Sequence, residues 1–333
     1  MLSRVANSLY WMSRYLERAE NIARIVDVNL QLLLDFRDLD DQALAQHWVP
    51  IVQSTGDQEA FFALHKKATG QTVTQFLVFQ TENPNSIVSS VAQARENARM
   101  VRDQITVELW EEVNRLYLFV RSQAARDMWK SSPFEFLQEI KACSLHLQGL
   151  TDATIVHNEG WQFMRAGRFL ERADKTTRIL DVRHGTLPPR GLPTGVSQTE
   201  ALEWSAILRS CSAWDAYKAI RGAEVSPRLV ADFLLLSEDF PRSVEFCVGM
   251  LDLALRSISG SPAGRFNNQA EKLCGRLLAE LQFSTIDEIF EAGLHDYLDL
   301  LQQKLDAIGE ALFNAYIFQP FNSLEDEIQQ QQQ

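Results

Sequence analysis

Apolar positions recur along this chain at helical spacing. From Tyr15 to Val28, at about 100° per residue, Tyr15, Leu16, Ala19, Ile22, Ala23 and Val26 share one side. Arg14, Glu17, Arg18, Glu20, Asn21, Arg24 and Asp27 share the other. This spacing predicts an amphipathic helix. Ile25 and Val28 intrude on the polar side, so that side is expected to be partly covered. No stretch alternates cleanly enough for a strand. The most β-like run, Thr72 to Phe79, lacks a hairpin turn and reads as a buried helix.

Turn chemistry places the breaks. Glu82-Asn83-Pro84-Asn85-Ser86 reads as a stop and restart, with Asn85 or Ser86 able to cap the next helix. Ser132-Pro133, Ser226-Pro227 and Phe240-Pro241 mark further starts. Ser259 to Gly264 is a short break, and His184 to Gln198, with three prolines and three glycines, is the longest irregular stretch. The last residues, 321–333, read as a polar tail.

One run occurs twice. Arg14-Tyr-Leu-Glu-Arg-Ala-Glu-Asn-Ile-Ala-Arg-Ile-Val-Asp-Val28 aligns with Arg168-Phe-Leu-Glu-Arg-Ala-Asp-Lys-Thr-Thr-Arg-Ile-Leu-Asp-Val182, identical at 9 of 15 positions with an offset of 154. Phe76 to Ile87 matches Phe233 to Val244 at an offset of 157, sharing a Phe-Leu start and a Pro-x-Ser element. Two collinear matches predict duplicated halves, residues 1–153 and 154–320. An amphipathic helix needs a partner for its apolar face. The expected architecture is therefore an all-α bundle of two related halves about a pseudo-twofold axis, with the two repeated helices in contact.

Composition narrows the functional classes. With 46% hydrophobic residues and few glycines or prolines in 333, the chain has ample material for a core. A net charge of −12 and no Lys/Arg-rich run speak against a nucleic-acid partner. Cys143, Cys211, Cys247 and Cys274 form no CxxC and read as small buried residues in a reducing compartment. Charges interrupt the first 18 residues, and the longest apolar run, Leu229 to Leu236, holds Asp232. No cleaved leader and no membrane span are expected, and the predicted location is cytoplasmic.

Leu16-Glu-Arg-Ala-Glu20 and its echo Leu170-Glu-Arg-Ala-Asp174 resemble the Glu-Arg motif of the bacterial alpha-E family. Pro84-Asn85-Ser86, Ala94-Arg95-Glu96-Asn97-Ala98-Arg99 and Trp110-Glu111-x-x-Asn114 also resemble that family's signatures, so the likeness covers nearly the whole chain. The resemblance implies association with circularly permuted ATP-grasp ligases and transglutaminase-like thiol peptidases. It thus implies service in amide- or peptide-bond synthesis or modification, but no reaction for the alpha-E protein itself.

Candidate sites follow from the charged positions. Arg14, Glu17, Arg18, Asn21 and Arg24, with Arg168, Glu171, Arg172 and Arg178, could bind an anion or peptide through the planar guanidinium fork. The plainer reading is an ion-paired surface, with Arg14–Glu17 at i,i+3 and Glu20–Arg24 at i,i+4. Recurrence in both halves argues for a buried network or a site. Arg95, Arg99 and Arg102 could form a second anion-binding ridge, with Asp103 pairing Arg99, and Trp110, Glu111 and Asn114 could line a pocket. Solvated faces are the alternative for both. No HxxxH, ExxH, Gly-rich phosphate loop or GxSxG is present, so no metal, cofactor or nucleophile is expected. The leading expectation is a non-catalytic helical partner that docks the ligase or holds its peptide substrate. The alternative is a catalytic component, a transferase or ligase, with an Arg/Glu pocket in its core.

Overall fold

The computed structural model describes residues 1–35, 41–181 and 198–318. The residues described form sixteen α-helices and no strand. The first eight are α1 (Ser3–Asp35), α2 (Asp41–Thr55), α3 (Gln58–Leu64), α4 (Gly70–Val78), α5 (Ile87–Met100), α6 (Val107–Arg121), α7 (Gln123–Ser131) and α8 (Pro133–Thr154). They are followed by α9 (Glu159–Asp181), α10 (Gln198–Ser210), α11 (Trp214–Arg221), α12 (Pro227–Leu236), α13 (Val244–Ser259), α14 (Gln269–Phe283), α15 (Ile286–Ala292) and α16 (Leu294–Tyr316). Gln198 opens α10. The rest of the irregular stretch from His184, Val182 of the repeated run and the 321–333 tail lie outside the described residues.

Local chemistry accounts for most helix starts. The Ser86 hydroxyl accepts the Ser89 amide and the Ser243 hydroxyl accepts the Phe246 amide, satisfying amides that a helix cannot pair internally. Pro133 and Pro227 stand in the first turns of α8 and α12, where no N–H is needed. The β-like run is α4, opened by a Thr69/Thr72 capping box and burying Val73, Phe76, Leu77 and Val78.

α1 and α9 form the centre. α1 packs on α9, α5, α8 and α10, while α9 packs on α1, α13 and α16. Their approach is close because position 167 is glycine: a Cβ there would stand 2.3 Å from the Tyr10 carbonyl oxygen. Elements then correspond in order. α5 covers α1 as α13 covers α9, and α8 lies on α1 as α16 lies on α9.

The polar side of α1 is covered more completely than its pattern predicts. Ala19, Ile22, Ala23 and Val26 are buried, but so are Ile25, Glu17, Glu20, Asn21 and Asp27. On α9, Glu171, Arg172 and Asp174 are buried beside Phe169, Leu170 and Ala173. Both helices are enclosed on nearly every side, so their charged residues had to be matched inside the protein.

Candidate functional site

The Glu-Arg runs of α1 and α9 exchange partners. Glu17 accepts two parallel hydrogen bonds from Arg172, Nε to Oε1 and Nη2 to Oε2, both 2.8 Å. Glu171 accepts from Arg18, Nε to Oε1 at 2.7 Å and Nη2 to Oε2 at 3.0 Å. Each motif's glutamate thus binds the other motif's arginine. Arg14 Nε adds a bond to Glu171 at 2.8 Å, and Lys175 approaches it at 3.8 Å. Arg242 Nη1 adds a bond to Glu17 at 3.0 Å.

Around this exchange lies a wider network. Glu20 accepts from Arg24 Nε at 2.8 Å, Ser144 at 2.6 Å, Gln148 at 2.9 Å and Arg242. Asp174 accepts from Arg178 at 2.8 Å and Lys175 at 3.1 Å. Arg18 also donates to Asn85 at 2.6 Å, whose amide donates to Asp57 at 2.7 Å, and Arg172 donates to the Pro241 carbonyl at 3.2 Å. Arg24 reaches Ser212 as well.

Burial alone would push Glu17 up, but Arg172 and Arg242 outweigh it and hold the carboxyl at about 2. Burial opposes ionisation of Glu171 too, and Arg18 and Arg14 keep it well below the ordinary range. Both carboxylates stay ionised at neutral pH with their oxygens engaged by guanidinium forks. The pairs form a clasp between two helices, where proximity in sequence would have drawn local pairs. Glu20–Arg24 is the local pair expected, whereas Arg14 and Glu17 do not pair with each other: burial turns each toward the neighbouring helix.

Asn21 is buried, accepting from Arg242 at 3.1 Å. Arg168 stands apart from the clasp, 3.4 Å from Asp152. It lines a narrow cleft, about 30 Å³ of space open to a water molecule, with Glu17, Arg165, Gln148 and apolar neighbours. Arg14 lines a second, much wider cleft of about 530 Å³ by the same measure, with Tyr10, Trp11, Asp306 and Glu310.

The second candidate group assembles only in part. Arg95 Nε donates to Asn114 Oδ1 at 3.1 Å, with its guanidinium 5.7 Å from the Trp110 ring and 4.8 Å from Tyr117. Glu111 faces solvent; its neighbour Glu112 turns inward, takes both ends of Arg115 at 2.7 and 2.8 Å and accepts from Cys143 at 3.0 Å. The three-arginine ridge does not form, because α5 ends at Met100 and Arg102 falls in the following turn, over Trp110. Arg99 pairs with Glu96 at 2.9 Å, and Asp103 accepts from Gln104.

Arg242, Asp174, Asn85 and Gln148 belong to the network without having been expected there, and Glu20, expected only as the local partner of Arg24, also takes Arg242, Ser144 and Gln148. Arg242 had a readable signal: it is the variable residue of the repeated Pro-x-Ser element, where the first half has Asn85. All four cysteines are free and buried, and burial pushes the Cys211 and Cys247 thiols up to about 12. Asp181, His295 and Asp299 bring ligand-type atoms within 4.8 Å of one another at a partly exposed place. His295 Nδ1 there donates to Asp181 Oδ1 at 2.6 Å. No helix among the described residues is long and apolar enough to cross a membrane.

Comparison with known proteins sets this architecture in context. Residues 1–317 match the model of Alpha-E, a predicted alpha-helical domain with a conserved ER motif. The chain belongs to the Alpha-E family. This Alpha-E chain has Glu-Arg dipeptides at Glu17-Arg18 and Glu171-Arg172, the residues that build the clasp. Uncharacterized proteins of Mycobacterium bovis and of two strains of Mycobacterium tuberculosis are similar to it, at 25%, 25% and 24% identity over 93% of the chain. The Alpha-E chain spans about a third of the length of these relatives, 35% of each. No solved structure matches it.

Proposed function

We propose that the chain is a non-catalytic helical docking component of an ATP-grasp-type amide- or peptide-ligase system. It binds the ligase or holds the ligase's peptide substrate, and the Glu-Arg clasp is its rigid spine. The observation that carries this reading is the saturation of Glu17 and Glu171. A carboxylate engaged by two guanidiniums and held far below neutral pH is a poor proton shuttle, because it neither takes nor gives a proton under working conditions. The same pairs suit a brace that fixes two helices in one geometry. The ligase and a transglutaminase-like peptidase enter as partners through the family resemblance. Relatives nearly three times as long are consistent with an Alpha-E unit that works beside other modules.

The two halves, 1–153 and 154–320, are proposed to descend from one duplicated segment. The collinear sequence matches and the reciprocal exchange across α1 and α9 support this origin and a pseudo-twofold arrangement. The acidic composition and free thiols support a cytoplasmic setting without a nucleic-acid partner. A catalytic reading calls for one deep pocket shared by Arg14, Glu17, Arg168 and Glu171. Among the described residues Glu17 and Arg168 line one cleft and Arg14 another, while Glu171 lines neither.

The test is co-purification of the full chain with an ATP-grasp-type ligase of its own genome, followed by titration. Micromolar binding of ligase or of its peptide substrate is expected; no binding of either in that range overturns the proposal. Glu17→Gln, assayed at a temperature where the variant is folded, separates the alternative: a scaffold loses docking, whereas an enzyme keeps docking and loses turnover.

A further inference from the structure

The two clefts occupy matching places and differ in charge. With the repeat offset of 154, Met164, Arg165 and Arg168 of the first cleft stand where Tyr10, Trp11 and Arg14 stand in the second. Opposite them, α8 offers Ser144 and Gln148 to the first cleft, while α16 offers Asp306 and Glu310 to the second. The second cleft therefore carries its own carboxylates, and its arginine, Arg14, is already bonded to Glu171 and to the Tyr10 hydroxyl.

The first cleft lacks that balance. Glu171 takes Arg14 and Arg18. The corresponding glutamate, Glu17, takes Arg172, the match of Arg18, but fills its remaining capacity with Arg242. Arg242 holds at Glu17 the place that Arg14 holds at Glu171, and Arg168, the repeat's match of Arg14, makes no hydrogen bond to Glu17. Arg168 lies over the Phe169 ring at 4.9 Å and has one long polar contact, 3.4 Å to the half-exposed Asp152, and its Nε is buried with no hydrogen-bond partner among the described residues. One turn earlier, Arg165 is only 9% exposed. Its contacts are the Gln162 side chain at 3.2 Å, the Met250 sulfur at 3.7 Å and the faces of Trp161 and Phe169. No carboxylate pairs with Arg165 among the described residues. A buried guanidinium without a counterion is costly, and here Arg165 has none while Arg168, beside it in the same cleft, has only the long contact to Asp152, in a chain whose net charge is −12.

We infer that Arg165 and Arg168 form a carboxylate-binding site in the cleft between α1, α8 and α9, built to receive an acidic side chain or C-terminal carboxylate of a peptide. Two forks one turn apart on α9 match the planar oxygens of a carboxylate. Leu16, Leu147 and Met164 give apolar walls for the chain that bears it, and Ser13, Gln148 and Thr151 supply polar contacts. Glu17 in the same cleft does not repel an anion, since Arg172 and Arg242 neutralise it. The site deepens the peptide-holding half of the reading above and rests on it for its biological ligand, though not for its chemistry.

Calorimetric titration of the purified full chain at low ionic strength tests it, with N-acetyl-alanyl-glutamate, glutarate and inorganic phosphate as probes. The acidic dipeptide is expected to bind saturably. Arg165→Gln and Arg168→Gln should each weaken it at least tenfold, and Arg276→Gln, at an exposed arginine of α14, should not. Arg165→Gln should also leave the unliganded melting temperature unchanged or higher, because it removes an unpaired buried charge. The site is overturned if the dipeptide does not saturate the wild-type chain, if phosphate binds and the carboxylates do not, or if neither arginine substitution weakens binding. A fall of several degrees in Arg165→Gln with binding intact also overturns it. The titration contains no ligase, so its failure leaves ligase docking standing, and a failed co-purification leaves the titration standing.

Discussion

Protonating Glu17 or Glu171 removes one side of the charge pairing that links α1 to α9. Replacing Glu171 with Gln strands Arg14 and Arg18 in a buried place with no counterion, and removing one partner of such a pair costs roughly 3–5 kcal/mol. Urea denaturation of Glu171→Gln should therefore show a midpoint well below wild type. Acid has the same effect. The folded carboxyl of Glu17 titrates at about 2, below its ordinary 4.5, so the unfolded chain takes up the proton first as pH falls. The stabilisation is complete above about 4.5 and drains away down to about 2, an effect on the order of 3 kcal/mol. Melting temperatures between pH 6 and 3 should fall, and Glu17→Gln should fall less steeply; an identical slope would remove Glu17 from the account. At this scale the sequence singled out Glu17, Arg18, Glu171 and Arg172 as charged residues of interest, and the structure places all four in one network. It could not name their partners. Local spacing pairs Arg14 with Glu17, whereas the choice between neighbours depends on which helix lies opposite.

At the scale of elements, the α1–α9 contact depends on Gly167. A methyl group there meets the Tyr10 carbonyl oxygen, a backbone atom that cannot rotate away. Gly167→Ala should force the helices apart and cost roughly 1–3 kcal/mol or more, despite alanine's better helix propensity, read as a lowered urea midpoint. Ser243→Ala removes the acceptor for the Phe246 amide and should cost about 1 kcal/mol by the same measurement. Starts of this kind were legible because a cap is a local event: Ser86, Ser132-Pro133 and Ser226-Pro227 all open helices where expected. Ends were less so. Nothing in Met100-Val101-Arg102 signals a stop by glycine or proline, and the helix ends there, which takes Arg102 out of the supposed ridge. A one-residue step of about 100° likewise puts Glu112 inside and Glu111 outside, a choice made by what α8 presents to α6.

At the scale of the whole molecule, α1 and α9 are the elements that every other layer leans on. Their buried amides should be the slowest to exchange hydrogen and should exchange together, at the free energy of global unfolding; faster or separate exchange of α9 would show that the two helices open independently. The helical class, several of the helix starts and the two matching charged runs followed from patterns that each segment carries within itself: period, caps and repetition are local properties, readable without knowing the neighbours. Burial was decided by packing. Covering α1 and α9 from several sides turned a face that reads as solvated into an interior, where charge must find its complement across distances of more than 150 residues, as Glu17 and Arg172 do. Packing also let Arg242, from a loop, claim Glu17 and leave Arg165 and Arg168 facing a cleft, because a carboxylate has few acceptor sites and the nearest guanidiniums in space fill them first.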